Sequence, residues 1–168
     1  MIRAEHISKS FGDRKVLTDI SALFEPGKTN LIIGKSGSGK TVFLKCLVGL
    51  LDVDEGKIWY NDVLFTDLDF HGRKEIRKQM GMLFQGSALF DSMSVEENVR
   101  FPLDMFTSMS YEEKLERVNF CLDRVNIINS NKLFPSELSG GMKKRVAIAR
   151  AIALKPRFLF CDEPNSGL

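Results

Sequence analysis

Hydrophobic and polar positions alternate in short runs over the first third of the chain. "AEHIS" (4–8) alternates as a half-buried strand does, and "SFGDRKVL" carries a turn signal at Gly12-Asp13. "ISALFEPGKTNLII" reads as two strands around a Pro26-Gly27 turn. "TVFLKCLVGL" is too long and apolar for one more strand, and Gly49 offers a stop, so it predicts a buried helix from Lys40 to about Val48. "GKIWYNDVLF" predicts a hairpin turned at Asn61-Asp62, "RKEIRKQM" an exposed helical turn or more, and "GMLFQ" a short strand with a polar end.

The period changes near Asp91. Ser94 followed by Glu97, and Ser110 followed by Glu113, are capping-box patterns. Leu115, Val118, Leu122 and Val125 keep helical spacing. Residues 92–137 therefore predict a helical insertion between strand-rich segments. The tail returns to alternating elements: a helix in "GGMKKRVAIARAIAL", a break at Pro156 and a strand in "RFLFC".

The chain has 168 residues, 43% of them hydrophobic, enough for a compact core. Its 24 basic and 22 acidic residues nearly cancel, which leaves no electrostatic footprint for nucleic acid. Cys46, Cys121 and Cys161 lie far apart without metal spacing, and each reads as a small buried apolar residue. No apolar run is long enough to span a bilayer, so work at a membrane would need a partner to hold the protein there.

Against this background three stretches carry chemistry. Gly34-Lys35-Ser36-Gly37-Ser38-Gly39-Lys40-Thr41 fits the phosphate-loop pattern between a predicted strand and a predicted helix. Wrapping a polyphosphate requires several backbone N–H groups aimed inward, which needs turns that glycine tolerates, and the following helix adds the positive end of its dipole. Lys40 can reach the outer phosphates, and the Thr41 hydroxyl can ligate Mg2+. "RFLFCDE" ends an apolar strand in two acids: Asp162 suits a Mg2+ site, and Glu163 is placed to polarise an attacking water. "LSGGM" (138–142) opens the last helix with Ser139, Gly140 and Gly141, a second anion site by the same reasoning. One nucleotide needs one cradle. This second loop is therefore expected to serve a nucleotide held by another copy, in a head-to-tail dimer.

In that order, phosphate loop, helical insertion, "LSGGM" and "FLFCDEP" resemble an ATP-binding cassette (ABC) ATPase over the whole chain. The resemblance implies an α/β phosphate-loop fold. Residues 1–91 would form an N-terminal antiparallel β subdomain with the phosphate-loop core, 92–137 a helical subdomain, and 138–168 a signature helix with the Walker B strand. The resemblance also implies ATP and Mg2+ as cofactors. Phe11 is implied to stack on adenine with Val16 nearby. Gln85 is implied to contact Mg2+ or the water and to sense the transport partner. Asn165 to Leu168 would open the D-loop, and the helical subdomain would dock on integral-membrane permease subunits at the cytoplasmic face of the inner membrane.

Two departures stand out. Met142 replaces the usual glutamine of the signature, and the chain stops at Leu168, before the D-loop aspartate and the switch histidine. His6 and His71 do not substitute by order or context. The chain is expected to be the N-terminal portion of a longer or truncated ATPase that binds nucleotide and turns it over poorly. "GMLFQGSALFDSMSVEENVRFPL" and Met142 resemble the ATPase of Mla/Mce-type phospholipid transport, with an Mce-domain lipid-binding component as a further partner. The alternative is the ATPase of a small-solute, amino-acid-type importer. A ribosome-binding or DNA-repair ABC ATPase fits less well, lacking a second cassette or long coiled coil.

Overall fold

The computed structural model describes residues 1–162. They form two compact units, 1–77 and from 78 onward.

The first unit is built on a four-stranded antiparallel sheet in the order β2-β1-β3-β4. β1 (Ile2–Phe11) and β2 (Arg14–Phe24) make the expected hairpin, Phe11 facing Arg14 across Gly12-Asp13. β3 (Glu55–Tyr60) and β4 (Val63–Leu64) turn at Asn61-Asp62, with Tyr60 facing Val63. Asn61 takes the left-handed backbone (φ 52) that such a tight turn demands. α1 (Lys40–Leu47) buries Phe43, Leu44, Cys46 and Leu47, and it stops at Gly49 as expected. Tyr60 joins helix to sheet: its hydroxyl donates to the Leu47 carbonyl at 3.0 Å inside the core, which satisfies the phenol that burial would otherwise strand. α2 (Phe70–Arg77) starts earlier than its charged sequence suggests, and Arg77 donates to the Val48 and Gly49 carbonyls at the end of α1.

One expected element is missing. Residues 29–33, "TNLII" before the phosphate loop, are not a strand. Leu31 is 78% and Ile33 84% exposed. Alternating or apolar character makes a run suited to a sheet, but a strand exists only when a neighbour takes its N–H and C=O groups. No strand among the described residues pairs with 29–33. The run instead borders a hollow of about 460 Å³ beside Leu17, Phe24 and Phe43.

The second unit pairs β5 (Met80–Leu83) in parallel with β6 (Phe158–Cys161), Leu83 beside Cys161. α5 (Gly140–Ile152) packs on β5, and α3 (Val95–Phe106) and α4 (Tyr111–Arg124) pack on α5 and on each other. Both expected capping boxes are present: Ser94 with Glu97, and Ser110 with Glu113. The core joins Val95, Val99 and Leu103 of α3, Val118, Cys121 and Leu122 of α4, and Val146 and Ala149 of α5. Two arginines close the helix ends reciprocally. Arg117 of α4 donates to the Ile152 and Ala153 carbonyls, and Arg145 of α5 to the Val125 and Asn126 carbonyls. Gly81 admits close packing, since a Cβ there would run into the Ala151 carbonyl oxygen. Cys161 departs from expectation. Cys46 and Cys121 are buried, but Cys161 is exposed.

Candidate functional site

The phosphate loop ends where α1 begins. Gly39 is the N-cap, at φ 93 and ψ 6, and no side chain caps the helix. The N–H groups of the first turn are therefore not consumed by a neighbouring oxygen of a cap. Glycine is required at position 39 twice over. Its φ is left-handed, and an added Cβ would lie 3.0 Å from the Leu17 side chain and 3.1 Å from the Val16 carbonyl oxygen. That close approach also places Val16 against the loop. Lys40 curls back over the loop, its Nζ donating to the Gly34 and Lys35 carbonyls at 2.9 Å each. The Ser38 amide closes a turn onto Lys35. The result is a ring of backbone with one ammonium held by carbonyl oxygens, a weaker partner than a phosphate. Thr41 follows in the first turn of α1. Phe11 sits at the hairpin end, 48% exposed, with the Lys9 ammonium 5.7 Å from its ring centroid.

In the second unit the β5–β6 pairing decides the geometry. Because the strands are parallel and Leu83 stands beside Cys161, the residues that follow each strand emerge at the same edge. Gln85 leaves β5 in a turn, and Asp162 leaves β6 with its N–H donating to the Leu83 carbonyl at 2.9 Å. Asp162 is 7% exposed. The parallel register thus brings two expected site residues from distant stretches of the chain, Gln85 and Asp162, to the same edge of the strand pair. Their oxygens are hard donors of the kind that suits Mg2+, which ordinarily keeps waters and phosphate oxygens as its other ligands. No group of three or more His, Cys, Asp or Glu able to hold a metal occurs among the described residues. Glu163 and the D-loop stretch 165–168 lie outside the described residues.

The signature loop has a different cap. Ser139 is the N-cap of α5 in extended conformation, and its hydroxyl accepts from the Met142 amide at 3.2 Å. Gly140 and Gly141 are exposed, and an added Cβ on either meets nothing within 4 Å. Their N–H groups, at the first two positions of the helix, have no intrahelical acceptor.

A family model described as ABC transporter matches residues 17–166. The chain belongs to the ABC transporter family. Among ABC relatives, the methionine import ATP-binding protein MetN of Clostridium tetani is 43% identical over 100% of this chain and 52% of its own length. The probable ribonucleotide transport ATP-binding protein mkl of Mycobacterium leprae is 39% identical over 99% of this chain and 48% of its own. The chain spans about half the length of these two relatives. A solved dimeric ATP-binding cassette, MJ0796 in a post-hydrolysis state bound to ADP and Pi, aligns with 100% of this chain and 76% of its own at TM-score 0.91 and 31% identity. The ABC ATPase fold expected from the sequence is therefore the fold of this chain. No helix among the described residues is long and apolar enough to cross a membrane.

Two residues of the second unit escaped the sequence reading. Asn98 is 0% exposed, between Val95 and Val99 on the buried face of α3. Arg150 reaches from α5 to the carbonyls of Ser87 and Ala88. Burial lowers the pKa of its guanidinium from the usual arginine range. The signal for Asn98 was available: a polar residue interrupting an apolar stripe, 98 beside 95 and 99.

Proposed function

We propose that this ABC chain is the ATP-binding portion of an importer subunit for a small solute of the amino-acid type, hydrolysing ATP in the full-length protein to drive import. The observation that carries this reading is the 43% identity, over the entire chain, to a methionine import ATP-binding protein. The phospholipid reading drawn from the segment after Gln85 has less support than this alternative. It keeps one specific observation in its favour, Met142 in place of the signature glutamine.

In the proposed reaction Lys40 exchanges the Gly34 and Lys35 carbonyls for the outer phosphates of ATP, and the N–H groups of Gly37 to Thr41 close around them. Val16 and Phe11 hold the base. Mg2+, when bound, neutralises phosphate charge, and Thr41, Gln85 and Asp162 are the residues that would hold it. Glu163 orients the water for in-line attack. Ser139, Gly140 and Gly141 serve the nucleotide of a second copy in a head-to-tail dimer. Permease subunits in the membrane, met through the helical subdomain, receive the motion at the cytoplasmic face.

The deciding experiment uses the full-length subunit reconstituted with its cognate permease in liposomes. ATP turnover should rise when amino acids, methionine among them, are supplied with the cognate solute-binding component. Stimulation by a phospholipid-loaded Mce-domain component, with none by amino acids, would overturn the importer reading in favour of lipid transport. Glu163→Gln should trap an ATP-bound dimer; normal turnover in that variant would remove Glu163 from its role.

A further inference from the structure

The backbone just after Gln85 is strained. Gly86, Ser87 and Ala88 have φ of 77, 70 and 46 in succession. Glycine enters this left-handed region freely, but Ser and Ala do so against a steric cost, and such conformations persist only where the surroundings hold them.

One side chain takes the carbonyls of the two non-glycine residues. Arg150 Nη2 donates to the Ser87 carbonyl at 3.2 Å and to the Ala88 carbonyl at 2.8 Å. Its Nη1 lies 3.4 Å from Asn98 Oδ1, and its Cζ stands 5.5 Å from the Phe90 ring centroid. Asn98 continues the clamp. Its Oδ1 accepts from the Phe90 amide at 2.9 Å, and its Nδ2 donates to the carbonyls of Phe90, Met93 and Ser94 at 3.0 to 3.1 Å. Both non-glycine carbonyls of the strained turn are therefore taken by a residue of α5, the helix whose first turn carries Ser139, Gly140 and Gly141. A guanidinium is suited to this task because its planar fork spans several acceptors while stacking on a ring; an ammonium is a point charge.

We propose that Arg150 is a positioning residue that locks the Gly86–Ala88 turn to the signature helix, so that the turn carrying Gln85 and the helix carrying Ser139 keep one fixed geometry. The functional half of this inference rests on the ABC ATPase reading of Gln85 and Ser139; the structural half does not.

The test compares wild-type full-length protein with Arg150→Lys, Arg150→Ala, and each combined with Ser87→Gly and Ala88→Gly. Amide hydrogen exchange at residues 86–90, read without nucleotide, should accelerate on the order of tenfold or more in Arg150→Lys. The kcat for ATP should fall on the order of 10²-fold while KM stays within about twofold, because the loop that binds ATP is untouched. The glycine pair should return most of the lost kcat, since glycine takes the left-handed backbone without help. Unchanged exchange in Arg150→Lys overturns the lock. So does a kcat loss that the glycines do not rescue and that tracks a lowered melting temperature, which would assign Arg150 to packing alone. If Arg150→Ala does not fold, the lysine series decides the matter. A wild-type protein without ATP turnover would refute the ATPase reading, and exchange alone would then judge the lock.

Discussion

The two glycine loops of this chain look alike in sequence and differ in how they are finished. At Gly34–Thr41 the helix starts on a left-handed glycine with no side-chain cap, and a lysine of the same loop folds over its carbonyls. At Ser139–Gly141 the helix starts on a serine that caps it, and the glycines face open space. The first loop contains both its amides and its own cation, the equipment to hold a polyanion alone. The second has exposed glycines and a satisfied cap, and under the proposed function it meets an anion already held by a second copy. Glycine is needed in the first for backbone conformation and close packing. In the second, an added Cβ on either glycine meets nothing among the described residues, which fits the proposal that this loop faces the nucleotide of a second copy.

Substitutions can break that contrast. Lys40→Ala in the full-length protein should show the largest effect, a loss of both nucleotide binding and turnover, with kcat down on the order of 10²–10³-fold; fluorescent-nucleotide titration and phosphate release check the two together. Ser139→Glu should reduce turnover on a similar scale, roughly 10²-fold or more, yet leave affinity at the phosphate loop within about twofold. Matching losses of affinity in the two variants would erase the proposed division of labour. Glycine-to-alanine changes should then differ in sign. Gly39→Ala meets a φ of 93 and the Val16 and Leu17 contacts, and should destabilise by about 1–3 kcal/mol. Gly141→Ala enters open space within a helix and should stabilise by about 0.5–1 kcal/mol. Urea midpoints measure both.

The smallest expected effect is in acid. Hydrogen bonds from the Ser94 backbone and side chain hold the Glu97 carboxyl below its ordinary value, and the Arg73 hydrogen bond and charge do the same for Asp52. Carboxylates depressed in the folded state contribute stability that is complete above their unfolded values and is lost as pH falls through the folded ones. Stability should thus be level from neutrality down to about pH 5, then decline below about 4 as these groups take up protons. Glu97→Gln should flatten a share of that decline, and a profile identical to wild type would remove Glu97 from it.

Much of this was legible in the chain. The Gly12-Asp13 and Asn61-Asp62 hairpins, the stop at Gly49, both capping boxes and the start of α5 all follow from chemistry within a few residues. The phosphate loop belongs to this group, because its amides, glycines and lysine are consecutive. The failures share a different property. "NLII" has the composition of a strand, but no run of residues carries its own hydrogen-bonding neighbour, and 29–33 pair with no strand among the described residues. Cys161 was expected inside by its type, yet its place on β6 leaves it exposed.

From sequence alone came the places where donors and charges collect: the phosphate loop, the signature loop and the acid after the last strand. Their cause is covalent proximity, which folding does not alter. Tertiary structure alone decided which distant residues within a unit come together. The parallel register of β5 and β6 brings Gln85 and Asp162 to one edge. The reach of Arg150 to Ser87, 63 positions away, holds a backbone that neither Ser87 nor Ala88 would adopt unaided. Such pairings depend on closing long stretches of chain against entropy, and the packing of α3, α4 and α5 around a common core is what offsets that cost.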